Sequence, residues 1–422
     1  MSKTTMPIRT LPFDEIAATH ILELRERAVR EDRTLDFKRQ INWDDDGKVE
    51  ILKDVSAMAN SAGGTIVYGV VEGEGDDSGV IVDLPGVQGA SADDFHNRID
   101  QLLQDGLDER IPGVLHRAID RPQGGFYYVI RVPPSHLAPH MITRKTSKPR
   151  FYYRGTTTNQ PMDARQIREV ALRAEAAVDR ATGTIRDRIA EAKRIAATRQ
   201  TVQTLAGSRG GQDQALLHVV PLFPAPVAWD FSDETILERL RQVHPFGSSG
   251  RYGAEERFAL EGFFREAPTS EDAFRRVVFL RNGAIEFQRY DILQEYEKRG
   301  DQPAVAYRFV ADVVEDVVIE ALNAIVPLVE AGLMALPAAI GLSLLGVGGS
   351  KLWPSGHYFG PPPGQPIRLD DVVIDPWLLH DFGPRLSRHL KQMFDVMWQA
   401  WGWQSSSNYG ADGQRITSGK KR

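Results

Sequence analysis

The alternation of apolar and polar residues near the N-terminus predicts two strands that carry acidic side chains. Leu35 and Phe37 alternate with Asp36 and Lys38, so on a strand the apolar pair faces a core while the carboxylate and the ammonium share the other face. The largely apolar run TIVYGVVE predicts a second strand that finishes at Glu72. Two strands side by side would bring Glu72 to the edge that carries Asp36.

Helical signals lie between and after these strands. The segment that follows the first strand is predicted to be a short helix ending MANSAGG, with a tight turn at residues 61–64 that its two glycines permit. Further strands are predicted at Phe126–Val132 and Arg150–Arg154. From 164 to 197, apolar residues recur at helical spacing among paired charges, which predicts a long polar helix.

The second half of the chain mixes helix and strand signals. Amphipathic helices are predicted at ETILERLRQV and RLSRHLKQMFDVMWQAW, and strands at ALEGFFRE and AFRRVVFLRNGAIEFQRYDIL, with Asn282-Gly283 as a hairpin turn. Residues 331–349 carry no charge, and that length alone would nominate a membrane span. Pro337, the four glycines that follow it and the preceding Glu330 instead favour buried elements of a globular fold.

A candidate metal site is formed by three acids, Glu31, Asp36 and Glu72, with Lys38 beside them. Grouped carboxylates repel one another unless a cation lies between them, and hard oxygen ligands suit Mg²⁺ or Mn²⁺ rather than zinc. The lysine would steady a phosphate or a developing charge. In the alternative interpretation, Asp36 and Lys38 are an exposed pair on an edge strand, and the residue types leave both readings open.

A basic segment with interleaved aromatic residues is a second candidate site. Basic side chains neutralise phosphates, and aromatic rings stack on bases. The candidate nucleic-acid-binding residues are Arg144, Lys145, Lys148, Arg150, Tyr152 and Arg154. Because Phe151 and Tyr153 alternate with Tyr152 and Arg154, one pair packs inward on a strand, and we expect Tyr152 and Arg154 to lie outside.

Composition narrows the function classes. A chain of 422 residues is long enough for more than one core, and a net charge of -6 means that nucleic-acid contact must come from a local patch. The absence of cysteine excludes disulfides, thiolate zinc sites and cysteine nucleophiles. No G-x-x-x-x-G-K-[ST] motif occurs, which argues against a P-loop ATPase. The first residues lack the apolar core of a signal peptide, so a cytoplasmic location is expected.

Three segments together resemble the Schlafen AlbA-like domain. They are Glu31-x4-Asp36-Phe37-Lys38, DVSAMANSAGG at 54–64, and IVYGVVE at 66–72. The resemblance continues through the strand at 126–132 to RFYYRG at 150–155 and covers about residues 20–170.

The resemblance implies nucleic-acid binding, to RNA or DNA, and in some members a metal-dependent endoribonuclease that cuts transfer or ribosomal RNA with three acids. By motif position, those acids are Glu31, Asp36 and Glu72. Asp36 stands where the family usually has glutamate, and Glu72 stands where nuclease members have aspartate. Each change moves a carboxylate by one methylene, which matters at a metal site.

The leading hypothesis is a cytoplasmic nucleic-acid-binding protein that acts as a Mg²⁺- or Mn²⁺-dependent endoribonuclease on structured RNA. Glu31, Asp36 and Glu72 would bind the metal and Lys38 would support the phosphate. Alanine at any one acid is then expected to abolish cleavage and leave folding intact. The alternatives are a non-catalytic DNA-binding transcriptional regulator and an interaction protein that self-assembles as a homo-oligomer. A role in bacterial defence would be consistent with the resemblance.

The expected fold class is α/β (α+β), in four parts. They are a Schlafen AlbA-like mixed-sheet domain at 1–170, a helical connector at 171–205, a C-terminal mixed α/β accessory domain at 206–403, and a disordered tail at 404–422.

Overall fold

A computed structural model gives the fold of the chain. It describes residues 8, 11, 13–87, 91–144, 150–204, 213–225, 229–247, 253–268, 274–297, 305–354, 364–382, 385–410 and 412–416.

The fold combines helices and strands along the whole described chain, which confirms the α/β class. The helices are α1 (Ala18–Glu26), α2 (Asp45–Ala59), α3 (Ala92–Asp105), α4 (Ala164–Thr204), α5 (Glu234–Arg241), α6 (Ala311–Ala324), α7 (Val326–Glu330) and α8 (Arg385–Gln399), with short 3₁₀ helices at Phe13–Glu15 and Gly75–Asp77. The first strands are β1 (Leu35–Lys38), β2 (Gly64–Tyr68), β3 (Val71–Glu72), β4 (Ile81–Asp83), β5 (Leu115–Asp120), β6 (Phe126–Val132), β7 (Met141–Ile142), β8 (Arg150–Arg154) and β9 (Asn159–Pro161). The remaining strands are β10 (Gln214–Pro221), β11 (Glu255–Phe258), β12 (Gly262–Pro268), β13 (Phe274–Leu280), β14 (Ile285–Tyr290), β15 (Leu293–Glu297), β16 (Val305–Val310), β17 (Ala338–Leu345), β18 (Lys351–Trp353), β19 (Val372–Val373) and β20 (Trp377–Leu379).

The chain divides into two compact units, each built from several segments. The first comprises Met1–Arg180, Pro221–Ala228 and Leu328–Pro337, and the second comprises Ala181–Val220, Trp229–Pro327 and Ala338–Arg422. The predicted parts at 1–170, 171–205 and 206–403 are contiguous, whereas segments after residue 205 return to the first unit. The backbone N–H of Phe13, for example, donates to the carbonyl of Ala331 at 2.6 Å.

A four-stranded sheet in the order β1-β2-β6-β5 is the centre of the first unit. β1 runs parallel to β2, and β2 and β5 both run antiparallel to β6. One apolar core lies between one face of the sheet and α2 and α3, and a second lies between the other face, α1 and the N-terminal segment. Leu35 and Phe37 belong to the second core, so Asp36 and Lys38 face the α2 side, as the alternation predicts.

The MANSAGG segment fixes the turn from α2 to β2. The Asn60 side chain donates to the carbonyls of His140 and Tyr152 and accepts from the backbone of His140, so it ties β8 to the end of the helix. Ser61 Oγ accepts from the backbone N–H of Arg154 at 2.9 Å. Gly63, at φ +75°, reverses the chain where a Cβ atom would lie 2.6 Å from the carbonyl oxygen of Val132.

The strand expected to run unbroken to Glu72 is interrupted. β2 ends at Tyr68 and β3 begins at Val71, with Gly69 between them at φ +94°. A Cβ atom on Gly69 would lie 2.9 Å from the backbone of Gly86, so the chain turns where only glycine fits. β3 then pairs with β4 instead of continuing the central sheet.

The second unit contains an eight-stranded sheet with the path β11-β12-β13-β14-β10-β17-β19 and β20 paired to β17. A three-stranded sheet, β15-β16-β18, belongs to the same unit. β13 and β14 form the predicted hairpin, with Gly283 at φ +86° in its turn. Every residue of β17 is buried, which agrees with the expectation of buried elements in the uncharged segment 331–349.

Among the described helices, none combines the length and the apolar character that crossing a membrane requires.

The expectation of a disordered tail from residue 404 is wrong for the part that the structure describes. Ser406 and Asn408 are buried, and Tyr409 forms a β-bridge with Arg415. Ser406 Oγ and Asn408 Nδ2 each donate at 2.8 Å to the buried carboxylate of Glu315 on α6. Polar residues of the tail therefore supply hydrogen-bond donors to a buried carboxylate, and the sequence pattern alone does not reveal this role.

Candidate functional site

Four acidic side chains converge beside the edge strand of the central sheet. They come from the loop before β1, from β1, from α2 and from the end of β3, and form the acid cluster: Glu31, Asp36, Asp54 and Glu72. Lys38 on β1 and Arg154 on β8 supply positive charge to the cluster. The sequence singles out four residues for chemistry, and the structure brings all of them together: Glu31, Asp36, Lys38 and Glu72.

Asp36 is the most enclosed member of the acid cluster. Its Oδ1 accepts from Arg154 Nη2 at 2.7 Å, and the side chains of both residues are 1% exposed. Nζ of Lys38 lies 2.7 Å from Oδ2, although this oxygen accepts no aligned hydrogen bond. Burial alone would raise the pKa of Asp36, but Lys38, Glu31 and Arg154 together hold it below its usual value. Asp36 is therefore ionised, and the reading of an exposed edge-strand pair is wrong.

Asp54 is a member that sequence reasoning missed. It lies on the buried face of α2, 4% exposed, and accepts from Nδ2 of Asn159 at 2.5 Å. Burial raises its pKa to about 7. The charge of Asp36 also raises this pKa, whereas the positive charges of Lys38 and Arg154 lower it. The available signal was an acid beside Val55 and near Met58, on a helix face that is otherwise apolar.

Glu31 and Glu72 form the half-buried rim of the acid cluster. Burial raises the pKa of Glu31 to about 8, and so do its hydrogen bond to Asp36 and the charge of Asp36. Its Oε1 accepts from the backbone N–H of Phe37, and its own N–H donates to the carbonyl of Gly79 at 2.8 Å. Because the pKa of Glu31 lies above 7, its carboxyl keeps its proton at neutral pH. Burial raises the pKa of Glu72, and the negative charge of Asp36 raises it further.

The acid cluster has the chemistry of a cation site without its spacing. Glu31, Asp36 and Glu72 are not among the described groups of side chains whose ligand atoms all lie within 4.8 Å of one another. The buried hydroxyl of Tyr68, at the end of β2, has no hydrogen-bond partner among the described atoms, and Asp54 and Asp36 add to the effect of burial in raising its pKa. The cluster has more acidic side chains than cations, and the raised pKa values of Glu31 and Asp54 mean that protons offset the surplus, which an added cation would displace.

The candidate residues of the basic segment differ from one another in burial, and only some lie where the alternation predicts. Tyr152 and Arg154 are buried, because Tyr152 packs into the core beside α2 and Arg154 pairs with Asp36. Their expected outward position is therefore wrong. Arg150 is exposed, and Arg144 forms an ion pair with Asp45 at 2.9 Å. The other two candidates, Lys145 and Lys148, lie outside the described residues.

A groove runs past Arg154 on the surface of the first unit. Its cavity of about 430 Å³ is lined by Asp32, Arg33, Thr34, Tyr153, Arg154, Gly155 and Thr156. Arg33 is exposed and Tyr153 is half-buried, with its hydroxyl donating to Gln160 at 2.6 Å. Sequence reasoning assigned neither Arg33 nor Tyr153 to a site, since their proximity depends on β8 folding back beside the start of β1.

Residues 31–163, all of them within the first unit, match the family model described as Schlafen, AlbA_2. This region is a Schlafen AlbA-like domain. The match confirms the resemblance, and the family indicates a nucleic-acid-related function and nucleic-acid partners. The acid cluster and the groove both belong to the Schlafen AlbA-like domain.

The chain matches no curated protein. Among solved structures it is similar to a solution NMR structure from Nitrosomonas europaea, the N-terminal domain of a "Putative ATP-dependent DNA Helicase RecG-related Protein". The two share 18% sequence identity with a TM-score of 0.26, and the similarity covers 35% of this chain and 93% of that one.

Proposed function

We propose that the Schlafen AlbA-like domain binds a nucleic-acid backbone and that the acid cluster cleaves it as a metal-dependent endoribonuclease. The observation that carries the proposal is the convergence of Glu31, Asp36 and Glu72 around Lys38, with the pKa of Glu31 raised to about 8. Structural ion pairs normally balance their charges. Here four acidic side chains share two cations, and Glu31 keeps a proton at neutral pH that a bound divalent cation would displace.

Donor type and charge at the cluster fit a divalent cation. Glu31, Asp36 and Glu72 would hold Mg²⁺ or Mn²⁺, since these ions prefer carboxylate oxygens. When bound, such an ion lowers the pKa of water and offsets charge on a phosphate. Lys38, whose side chain is about one-third exposed, would contact a phosphate oxygen at the rim.

The groove that Arg154 lines would hold the backbone of the substrate. Arg33 lines the groove and is exposed, so it would supply charge for phosphate contacts, and Tyr153 offers a half-buried ring. Arg150 is exposed at the other end of β8 and would contact phosphates outside the groove. Arg154 contributes differently, because both its burial and its pairing with Asp36 make it a positioning residue for the acid cluster.

A nuclease assay tests the proposal. The purified chain is incubated with bulk transfer RNA and with single-stranded DNA in Mn²⁺, Mg²⁺ or EDTA, and the products are separated on a denaturing gel. Glu31→Gln and Glu72→Gln are the test variants, and Glu74→Gln, an exposed acid two residues beyond the strand, is the matched control. We expect metal-dependent RNA fragments from the wild type and from Glu74→Gln alone.

Asp36 is a poor choice for that assay, contrary to the expectation that alanine there leaves folding intact. Removing Asp36 would leave Arg154 as a buried cation with its partner missing, a change that costs on the order of 3–5 kcal/mol. Loss of cleavage in Asp36→Ala would therefore not separate catalysis from stability. Intact RNA in every lane would overturn the nuclease and leave nucleic-acid binding.

A non-catalytic DNA-binding regulator is the second candidate function. The observation that favours it is the pair of 2.7 Å contacts from Lys38 and Arg154, which already offset the charge of Asp36. Binding to duplex DNA that is equal with Mg²⁺ and with EDTA, and without cleavage, would support this candidate against the nuclease.

A further inference from the structure

A second group of polar side chains lies elsewhere in the first unit, where α3 packs on the edge strand β5. His96 and Asp100 lie one turn apart on α3 and are exposed, and His116 on β5 is half-buried. In the described part of the chain, one group of histidine and acidic side chains has all its possible ligand atoms within 4.8 Å of one another, and it consists of these three residues. None of the three belongs to the acid cluster.

The distances within this group are close to those of a metal site. His116 Nε2 lies 3.0 Å from Asp100 Oδ1, and His96 Nε2 lies 3.5 Å from Asp100 Oδ2. Ligands about 2.1 Å from a tetrahedral Zn²⁺ lie roughly 3.4 Å from one another. The two observed separations bracket that value, and all three ligand atoms lie within 4.8 Å of one another, so a modest movement would let the group bind an ion.

Tyr128 orients both imidazole rings. Its hydroxyl lies 2.6 Å from Nδ1 of His116 and 3.4 Å from Nδ1 of His96, so the two Nε2 atoms point to Asp100. A partner on the second ring nitrogen is the usual device that aims a histidine at a metal. Burial lowers the pKa of His116, and the nearby Asp100 opposes this shift.

The framework around the group is rigid and leaves room for a further ligand. Phe95 and Ile99, which flank His96 and Asp100 on α3, are buried in the core, and His116 pairs with Ile130 in the central sheet. A cavity of about 290 Å³, lined in part by Asp100 and His116, opens beside the group. A water molecule in that cavity would complete a tetrahedral coordination.

We propose that His96, Asp100 and His116 form a binding site for a transition-metal ion of the zinc class that clips α3 to β5. Two imidazole ligands select Zn²⁺, Co²⁺, Ni²⁺ or Cu²⁺ over Mg²⁺. The site is therefore separate in both position and ion preference from the carboxylate cluster of the proposed nuclease.

Metal titration of the full chain tests the site. The protein, free of any histidine tag and treated with chelator, is titrated with Zn²⁺ by calorimetry and with Co²⁺ by visible absorption, which reports tetrahedral nitrogen and oxygen ligation. We expect one equivalent to bind to the wild type. His96→Ala and Asp100→Asn should each weaken the Zn²⁺ dissociation constant by about tenfold or more.

Two further variants make the result specific. His244→Ala removes an exposed histidine of the second unit and should bind as the wild type does, and Glu31→Gln should also keep the site. Because a ligand of the folded state raises the melting temperature, Zn²⁺ should stabilise the wild type and His244→Ala but not His96→Ala. His96 is exposed, so its alanine variant is expected to fold.

Zn²⁺ binding of equal strength in the wild type and in His96→Ala, or no binding in the wild type, would overturn the proposal.

Discussion

Arg154 and Arg150 occupy the two ends of one short strand and have different roles. Arg154 is 2% exposed and pairs with Asp36, while Arg150 is exposed. Both are arginines in a segment that reads as basic and aromatic. Their environments therefore separate a structural charge from one available to a phosphate.

Alanine substitutions at these two arginines should give opposite results. Arg154→Ala leaves the buried carboxylate of Asp36 without one of its two cations, so the free energy of unfolding should fall by about 3–5 kcal/mol. Arg150→Ala should keep that stability, weaken nucleic-acid binding and lower the salt slope of the affinity by about 1. Chemical denaturation and salt-dependent binding measure the two effects. Equal stability of the two variants would contradict the assigned roles.

Asp54 makes stability depend on pH. Its pKa is about 7 in the folded protein, against an ordinary value of 3.8. Between these values the folded state keeps a proton that the unfolded state releases, so the free energy of unfolding falls as pH rises, by about 1 kcal/mol per pH unit. Asp54→Asn removes this dependence, and its melting temperature should rise relative to the wild type from pH 5 to pH 7.

The control for Asp54 is Asp46→Asn, an exposed change on the same helix, which should follow the wild type at each pH. A constant difference between Asp54→Asn and the wild type over this range would show that Asp54 does not hold a proton when folded.

At the scale of elements, most helices and strands follow from local pattern. α2, α4, β6 and β8 were all predicted, and so was the β13–β14 hairpin, because each has an uninterrupted period or a strong turn signal. The break between β2 and β3 was missed. It depends on Gly69 approaching the backbone of Gly86, a contact between distant parts of the chain.

The turn between α2 and β2 should be among the positions least tolerant of substitution. In Gly63→Ala the new Cβ would meet the carbonyl of Val132 at 2.6 Å, and the backbone is at φ +75°. Gly124→Ala carries similar backbone strain, at φ +89°, but no atom lies within 4 Å. We expect Gly124→Ala to cost about 1 kcal/mol and Gly63→Ala distinctly more, on the order of 3 kcal/mol, in urea unfolding. Similar losses would mean that the contact with Val132 relaxes without cost.

At the scale of the whole molecule, both units draw on segments far apart in sequence. Residues 221–228 and 328–337 belong to the first unit, although they follow α4 in the chain. A boundary placed by composition assumes contiguous domains, and that assumption does not describe this chain. Self-assembly through the long helix stays a prediction.

The tail beyond Trp403 should contribute to the stability of the second unit. Glu315 accepts three hydrogen bonds, from Trp398, Ser406 and Asn408, each at 2.8 Å. Ending the chain after Trp403 removes two of these donors from a buried carboxylate, at a cost of about 1–3 kcal/mol each. We expect the melting temperature to fall by several degrees in that truncation.

Ending the chain after Ile416 keeps both donors and is the matched control, which should melt close to the full chain. If both truncations melt together, the contacts with Glu315 do not stabilise the fold.

By itself the sequence determined the α/β class and the Schlafen AlbA-like region and nominated Glu31, Asp36 and Glu72 as candidate site acids, because strand alternation and short motifs are local properties. Only the tertiary structure decided that Asp54 joins these acids, that Arg154 is buried against Asp36 and that His96, Asp100 and His116 meet. Burial and the pairing of distant segments depend on the whole fold, so no local pattern specifies them.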